Sequence, residues 1–67
     1  MSSTAFYREL ALDLESRREW ERAAQAWQSA INNYPWPGGA LAANDIAQMA
    51  DRRDYCVRAA NAAKQKT

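Results

Sequence analysis

The chain has 67 residues and a mass of 7.6 kDa, which is enough for one small domain. Hydrophobic residues make up 48% and charged residues 25%, which are the proportions of a globular protein and argue against general disorder. Nine basic and eight acidic residues leave a net charge of +1, which excludes a strong overall attraction to nucleic acid or anionic membranes.

The first predicted helix covers about residues 4–17, where apolar side chains recur at helical spacing. Ser3 or Thr4 stands at its start, and a hydroxyl there can accept a hydrogen bond from a backbone N–H that the first turn leaves free, as an N-cap does. The stripe that we expect to face the core consists of Phe6, Leu10 and Leu14.

The second predicted helix covers about residues 19–33 and follows the first without an intervening glycine or proline. The turn near Arg17 and Arg18 must therefore be tight, and the two helices form an αα-hairpin. The positions of large and small side chains along this hairpin match the pattern of a tetratricopeptide-like helix pair. Its second core stripe includes Trp20, Ala23 and Trp27.

A linker over residues 35–39 separates this hairpin from a third predicted helix. Its two prolines cannot continue a helix, and its two glycines permit a sharp change of direction. The third helix is predicted over about residues 44–63, with a start as early as residue 40 left open. Asp45 and Gln48 have the spacing of a capping box at its start. The core side of this helix is predicted to carry Ile46, Met49 and Cys56.

Together these elements predict an all-α fold, in which residues 1–67 form a single domain with an αα-hairpin and a third, C-terminal helix. No segment has the alternating pattern of a β-strand. One hairpin cannot bury its own apolar face, so the third helix or a second chain has to cover it. We therefore expect a homodimer, because symmetric dimers are the commonest way for a small chain to cover such a surface.

The sequence offers little chemistry for catalysis or metal binding. It has no histidine, and its single cysteine, Cys56, neither closes an internal disulfide nor anchors a metal site. Glu15, Glu19 and Glu21 are expected on a solvated helix surface. We therefore predict that the protein is not an enzyme and uses no cofactor or metal. No apolar run is long enough for a membrane span and the N-terminus lacks a signal-peptide pattern, so we expect a cytoplasmic protein.

Four residues are candidates for contact with a partner. Trp36 lies between the two prolines, where it either closes the core or stands exposed as an anchor, a role in which tryptophan is enriched at interfaces. The third helix adds arginines that can contact phosphates or acidic protein surfaces, although Asp51 and Asp54 flank two of them and favour a salt-bridged surface. These arginines are Arg52, Arg53 and Arg58.

Five short segments of the chain match motifs of small bacterial regulators. They are Phe6-Tyr7-Arg8-Glu9-Leu10-Ala11, Leu14-Glu15, Trp20-Glu21-Arg22-Ala23-Ala24, Trp27 and Arg52-Arg53-Asp54-Tyr55-Cys56. The segments from Leu14 onward resemble the PerC family, with its Leu-Glu pair, its aromatic residue before Arg-Ala-Ala, its tryptophan and its Arg-Arg pair before a cysteine. The first and last segments resemble the related ANR family, small negative regulators of AraC-type activators.

This resemblance implies control of transcription, largely through protein–protein contact with a transcription factor or nucleoid protein. Such regulators come from enterobacteria-like hosts and are often encoded by phages or mobile elements. Two other functions remain open. One is a phage-encoded inhibitor of a host enzyme or defence complex, and the other is a direct DNA-binding regulator that uses the third helix. Salt dependence distinguishes the latter, since affinity for phosphates falls steeply as salt rises.

Overall fold

The structure, a computed structural model, describes residues 3–35 and 38–65, and these residues form three α-helices. Helix α1 covers Ser3–Ser16, α2 covers Trp20–Asn32 and α3 covers Ala40–Gln65. Helix α2 lies between the other two and packs against both. The prediction of an all-α fold with a hairpin followed by a third helix is therefore confirmed.

The turn between α1 and α2 is as tight as the sequence predicts. Arg18 adopts the left-handed backbone conformation, with φ 61°. Its N–H donates to the carbonyl of Glu15 at 3.0 Å, and the N–H of Glu19 donates to the carbonyl of Leu14 at 2.9 Å. These two hydrogen bonds satisfy carbonyls at the end of α1, as in a Schellman motif, where glycine is the usual residue at the left-handed position.

Helix α3 begins at Ala40, the earlier of the two starts considered from the sequence. Gly39 has φ 101°, a conformation open to glycine, and its carbonyl accepts a hydrogen bond from the N–H of Ala43 at 3.0 Å. The alanine-rich segment that follows Gly39 has a high helix propensity and extends the helix toward the linker. Asp45 therefore lies inside α3, and the predicted capping box of Asp45 with Gln48 is wrong.

Thr4 has a different role from the one predicted. It lies inside α1, so it is not the N-cap, and its side chain is buried. Its Oγ1 donates a hydrogen bond to the carbonyl of Ala30 at 2.9 Å. This bond joins the first turn of α1 to the last turn of α2, and it helps to hold the two helices antiparallel.

The core is built from small alanines around a few large side chains. Ala11, Ala23 and Ala30 have no accessible surface, so the helices can approach one another closely. Trp20 and Ile46 are partly buried against this core. The predicted core residues that are buried are Leu14, Ala23, Trp27, Met49 and Cys56.

Two predicted core residues, Phe6 and Leu10, instead lie at the surface, where they are 65% and 37% exposed. This part of the prediction is wrong because the buried side of α1 is centred on other residues, among them Ala11 and Glu15. Helix α1 packs mainly against α2, so the apolar side chains on its far side remain in contact with solvent.

Candidate interaction groove

A groove of about 350 Å³ opens between α1 and α3. Its floor consists of Trp27 of α2 and Met49 of α3, two apolar side chains that are almost fully buried. Leu12 of α1 lies at its wall and is 52% exposed. The groove therefore joins an apolar floor to walls that are mostly polar. The polar residues that line it are Arg8, Asp45, Gln48 and Arg52.

Glu15 connects the three helices beside this groove. Its side chain is 8% exposed, and its Oε2 accepts a hydrogen bond from Trp27 Nε1 at 2.7 Å. Arg52 of α3 forms an ion pair with the same carboxylate, with Nε 3.2 Å from Oε2. A buried charge is stable only when it has such partners. The prediction that Glu15 is solvated is therefore wrong, whereas Glu19 and Glu21 do lie at the surface.

Arg52 is held in the wall of the groove from two directions. The hydrogen bonds that it donates to Glu15 raise the pKa of Arg52 above its ordinary value. Its guanidinium carbon also lies 4.6 Å from the centre of the Tyr55 ring, and this ring meets Trp20 edge-on at 5.8 Å. The side chain of Arg52 remains 46% exposed, so part of the guanidinium group stays accessible to a ligand.

Cys56 lies in the core and has no accessible surface. Burial, with the nearby charge of Glu15 as a smaller cause, raises the pKa of its thiol from 9.0 to about 11. The thiol is therefore neutral near pH 7 and packs as a small apolar group, as predicted.

Arg8 and Asp45 complete the walls of the groove. Oδ2 of Asp45 accepts a 2.8 Å hydrogen bond from the hydroxyl of Tyr34, and this bond is the main cause that raises the pKa of Tyr34. Arg8 reaches across from α1, so that its Nη2 lies 4.0 Å from Met49 Sδ. Among the residues that the structure describes, no carboxylate forms an ion pair with Arg8. Most of its N–H donors are thus available to a ligand.

The arginines predicted to contact a partner do not lie together. Arg52 lines the groove, whereas Arg53 lies on another side of α3, donates a hydrogen bond to α2 and pairs with Asp54 at 3.0 Å. Arg58 is exposed on a third side. Successive residues of a helix are about 100° apart, so these three positions cannot share one face. Trp36 lies outside the residues that the structure describes.

Sequence reasoning did not identify Arg8 and Leu12 as groove residues. They are four positions apart and therefore share one side of α1, which is a signal that the sequence does contain. The periodicity of α1 does not show that α3 lies on this side. The groove could therefore be found only from the packed structure.

No protein-family model matches the chain, and no curated protein or solved structure matches it either. In residues 3–35 and 38–65, no helix has both the length and the apolar character that a membrane span requires. Within the same residues, no group of three or more His, Cys, Asp or Glu side chains is placed to hold a metal ion.

Proposed function

We propose that the protein is a small transcriptional regulator that binds another protein, a transcription factor or nucleoid protein, through the groove between α1 and α3. The observation that carries this proposal is the apolar floor of Trp27 and Met49 beside the accessible guanidinium groups of Arg8 and Arg52. A partner segment can place an apolar side chain on this floor and a carboxylate against Arg8. The resemblance to PerC and ANR regulators supports transcription as the process.

The charges of α3 support a protein partner over direct contact with DNA. Arg52, Arg53 and Arg58 lie on three different sides of α3, and Arg53 pairs with Asp54 at 3.0 Å, so these cations do not form one surface that could follow a phosphate backbone. Asp51, which is exposed, adds a further negative charge next to Arg52. Proteins that bind DNA gather their cations along one face, and α3 does not do so.

Affinity capture with a groove variant tests the proposal. The lysate is taken from an enterobacterium, the host class that the resemblance implies, and the wild type is compared with Leu12→Asp. This change places a charge in the groove but leaves the core intact, since Leu12 is 52% exposed. Leu41→Asp is the matched control, because Leu41 is 85% exposed and lies outside the groove. We expect a transcription factor or nucleoid protein to bind the wild type and the control but not Leu12→Asp.

Other results of the capture experiment would lead to different conclusions. Equal capture by Leu12→Asp and the wild type contradicts the groove as the contact surface. Capture of a host enzyme or defence complex in the expected pattern supports the inhibitor function instead. Specific binding of purified duplex DNA with a steep salt dependence, and without a protein partner, supports the DNA-binding regulator.

A titration with the purified partner then tests the charge of the groove. Arg8→Glu should lower the affinity about tenfold, mainly by slowing association, because Arg8 is the wall cation without an ion pair in the described part of the chain. An unchanged association rate constant would show that the partner carries no complementary charge at this point.

A further inference from the structure

Helices α1 and α3 run in the same direction along the two sides of the groove. Thr4, in the first turn of α1, is bonded to Ala30 in the last turn of α2. Asp45, near the start of α3, is bonded to Tyr34, just after α2 ends. Each of the two helices is therefore antiparallel to α2, and the groove follows their axes. From Asp45 to Arg52 it is about 10 Å long, the rise of two helical turns.

We propose that this groove binds an α-helix of the partner protein, and that this helix carries an acidic side chain one turn away from an apolar side chain. The inference rests on the proposed function and adds to it the conformation and the charge of the segment that is bound.

The backbone of the two walls favours a helical segment over an extended one. Both walls are helices, so away from the helix ends their N–H and C=O groups are already bonded within each helix. An extended segment gains its affinity largely from backbone hydrogen bonds, as it does at the edge of a sheet, and these walls offer none. A helix brings its own backbone hydrogen bonds, and its side chains three or four residues apart form a ridge that fits a groove between helices.

Leu12 gives the groove its contact for an apolar side chain. It is 52% exposed, whereas Trp27 and Met49 on the floor are 5% and 3% exposed. An apolar side chain that packs against Leu12 removes this leucine from water and closes the groove over the floor. Such a side chain is the apolar member of the proposed pair.

Arg8 and Arg52 provide donors for the acidic side chain. The guanidinium of Arg8 reaches Met49, which lies between Asp45 and Arg52 along α3. Arg52 uses Nε and Nη2 to bind Glu15, and in the part of the chain that the structure describes its Nη1 has no hydrogen bond. A carboxylate beside Met49 can therefore accept hydrogen bonds from both arginines. Since Glu15 already balances the charge of Arg52, the net attraction comes from Arg8.

Asp45 limits where the acidic side chain can lie. Its Oδ2 accepts the hydrogen bond of Tyr34, which holds this carboxylate at one end of the groove. A second carboxylate at that end would be repelled. The acidic side chain of the partner should therefore lie toward Arg52.

Selection from a phage-displayed library of random peptides tests the proposal. Peptides of about 16 residues are long enough to form a helix on binding. The purified chain is the bait, and Leu12→Asp is used to remove peptides that bind elsewhere. We expect the enriched peptides to carry an acidic residue three or four positions from a large apolar one, with no proline between them. Circular dichroism should show that a synthetic peptide of this kind becomes helical when it binds.

Three outcomes of the selection would overturn the proposal. They are the absence of peptides that prefer the wild type to Leu12→Asp, an enriched pool without an excess of acidic residues, and a synthetic peptide that stays non-helical when bound.

Calorimetric titration of an enriched peptide tests the acidic contact. Arg8→Glu should raise the dissociation constant at least about tenfold. Arg58→Glu changes the net charge equally at an exposed arginine outside the groove, and its dissociation constant should stay within about twofold of the wild-type value. Asp45→Asn can still accept the hydrogen bond of Tyr34 and should bind the peptide at least as tightly as the wild type. Equal losses in the two reversals, or weaker binding by Asp45→Asn, would contradict the assigned charges.

The proposed function can fail independently of this inference. If the protein captured from the lysate has no role in transcription but binds through an acidic helix, the proposed function is wrong and the inference stands. If a transcription factor or nucleoid protein binds through an extended segment, the inference is overturned and the regulatory role stands.

Discussion

On the side of α1 that faces the other helices, the carboxylate of Glu15 is buried and bonded to Trp27 and Arg52, whereas on the opposite side Phe6 is 65% exposed. Charged side chains usually lie at the surface and aromatic rings in the core, so α1 reverses the usual arrangement. The buried charge is stable because it has partners on two other helices. The exposed ring contributes little to the core, because most of its apolar area stays in contact with water. We infer that the stability of the fold depends on the side of α1 that carries Glu15 and much less on the side that carries Phe6.

The largest effect is expected from truncating the aromatic residue on the folding side. Trp27→Ala removes a 5% exposed indole and the hydrogen bond to Glu15, which should cost about 3–5 kcal/mol. The total free energy of unfolding of such a small domain is little larger than this cost. Circular dichroism should therefore show a largely unfolded chain at 25 °C. Phe6→Ala is the matched truncation on the opposite side of α1, where the ring is 65% exposed, and this variant should melt at the wild-type temperature. A Trp27→Ala chain that melts with the wild type would contradict this assignment.

Removal of the cation on the folding side should have the next largest effect. Arg52→Met keeps much of the apolar stem but leaves Glu15 with Trp27 as its main partner. We expect urea unfolding to show a loss of about 1–3 kcal/mol, below the value for a fully buried pair because Arg52 is 46% exposed. In a double-mutant cycle with Glu15→Gln, the loss of stability in the double variant should differ from the sum of the two single losses by at least about 0.5 kcal/mol. Strict additivity would show that Glu15 and Arg52 do not act as a pair.

The buried thiol should make the folding side sensitive to alkaline pH. The pKa of Cys56 is about 11 in the folded chain, compared with an ordinary value of 9.0. Between these values the unfolded chain loses the thiol proton while the folded chain retains it, so the free energy of unfolding should fall as pH rises through this interval. Tyr34, whose pKa is also raised, contributes in the same direction.

A comparison of variants isolates the contribution of the thiol. Urea unfolding between about pH 8 and about pH 10 should show a shallower loss of stability for Cys56→Ala than for the wild type, because the alanine has no proton to lose. Equal slopes for the two proteins would mean that the thiol is not protected from ionisation in the folded state.

The smallest effect is expected at the turn that follows α1. Arg18 has φ 61°, a conformation that costs a residue with a Cβ atom about 1–2 kcal/mol. Arg18→Gly should therefore raise the free energy of unfolding by about 0.5–1 kcal/mol, after allowing for the greater freedom of glycine in the unfolded chain. Arg17→Gly, one residue earlier and without a positive φ, should give no such gain. A loss of stability in Arg18→Gly would contradict the strain assigned to this turn.

The sequence was sufficient to predict the helices and their order. Proline and glycine in the linker, and apolar spacing on either side of it, act locally and do not depend on packing. The rotation of α1 about its axis was not predictable in the same way. Its apolar stripe is broad enough to include both Leu14, which is buried, and Phe6, which is not. The centre of the buried side of α1 is Ala11, whose small side chain adds little to the apolar pattern of the sequence.

Part of the site also escaped prediction, for a related reason. Glu15 looks like any surface glutamate until Trp27 and Arg52 are placed around it, and these come from two other helices. The charge of Arg52 is enough to predict it as a candidate contact residue. Its position beside Arg8 follows from the way α3 crosses the hairpin, and no local pattern contains that information.

The contrast between the two sides of α1 can be measured most directly by changing Glu15 and Phe6 to the same residue. Urea unfolding of Glu15→Gln and Phe6→Gln is compared with the wild type at dilutions where sedimentation shows a monomer. We expect Glu15→Gln to lose about 1–2 kcal/mol, because Arg52 loses its charged partner, and Phe6→Gln to stay within about 0.5 kcal/mol of the wild type. The reverse order, with a stable Glu15→Gln and a destabilised Phe6→Gln, would contradict the assignment of the two sides of α1.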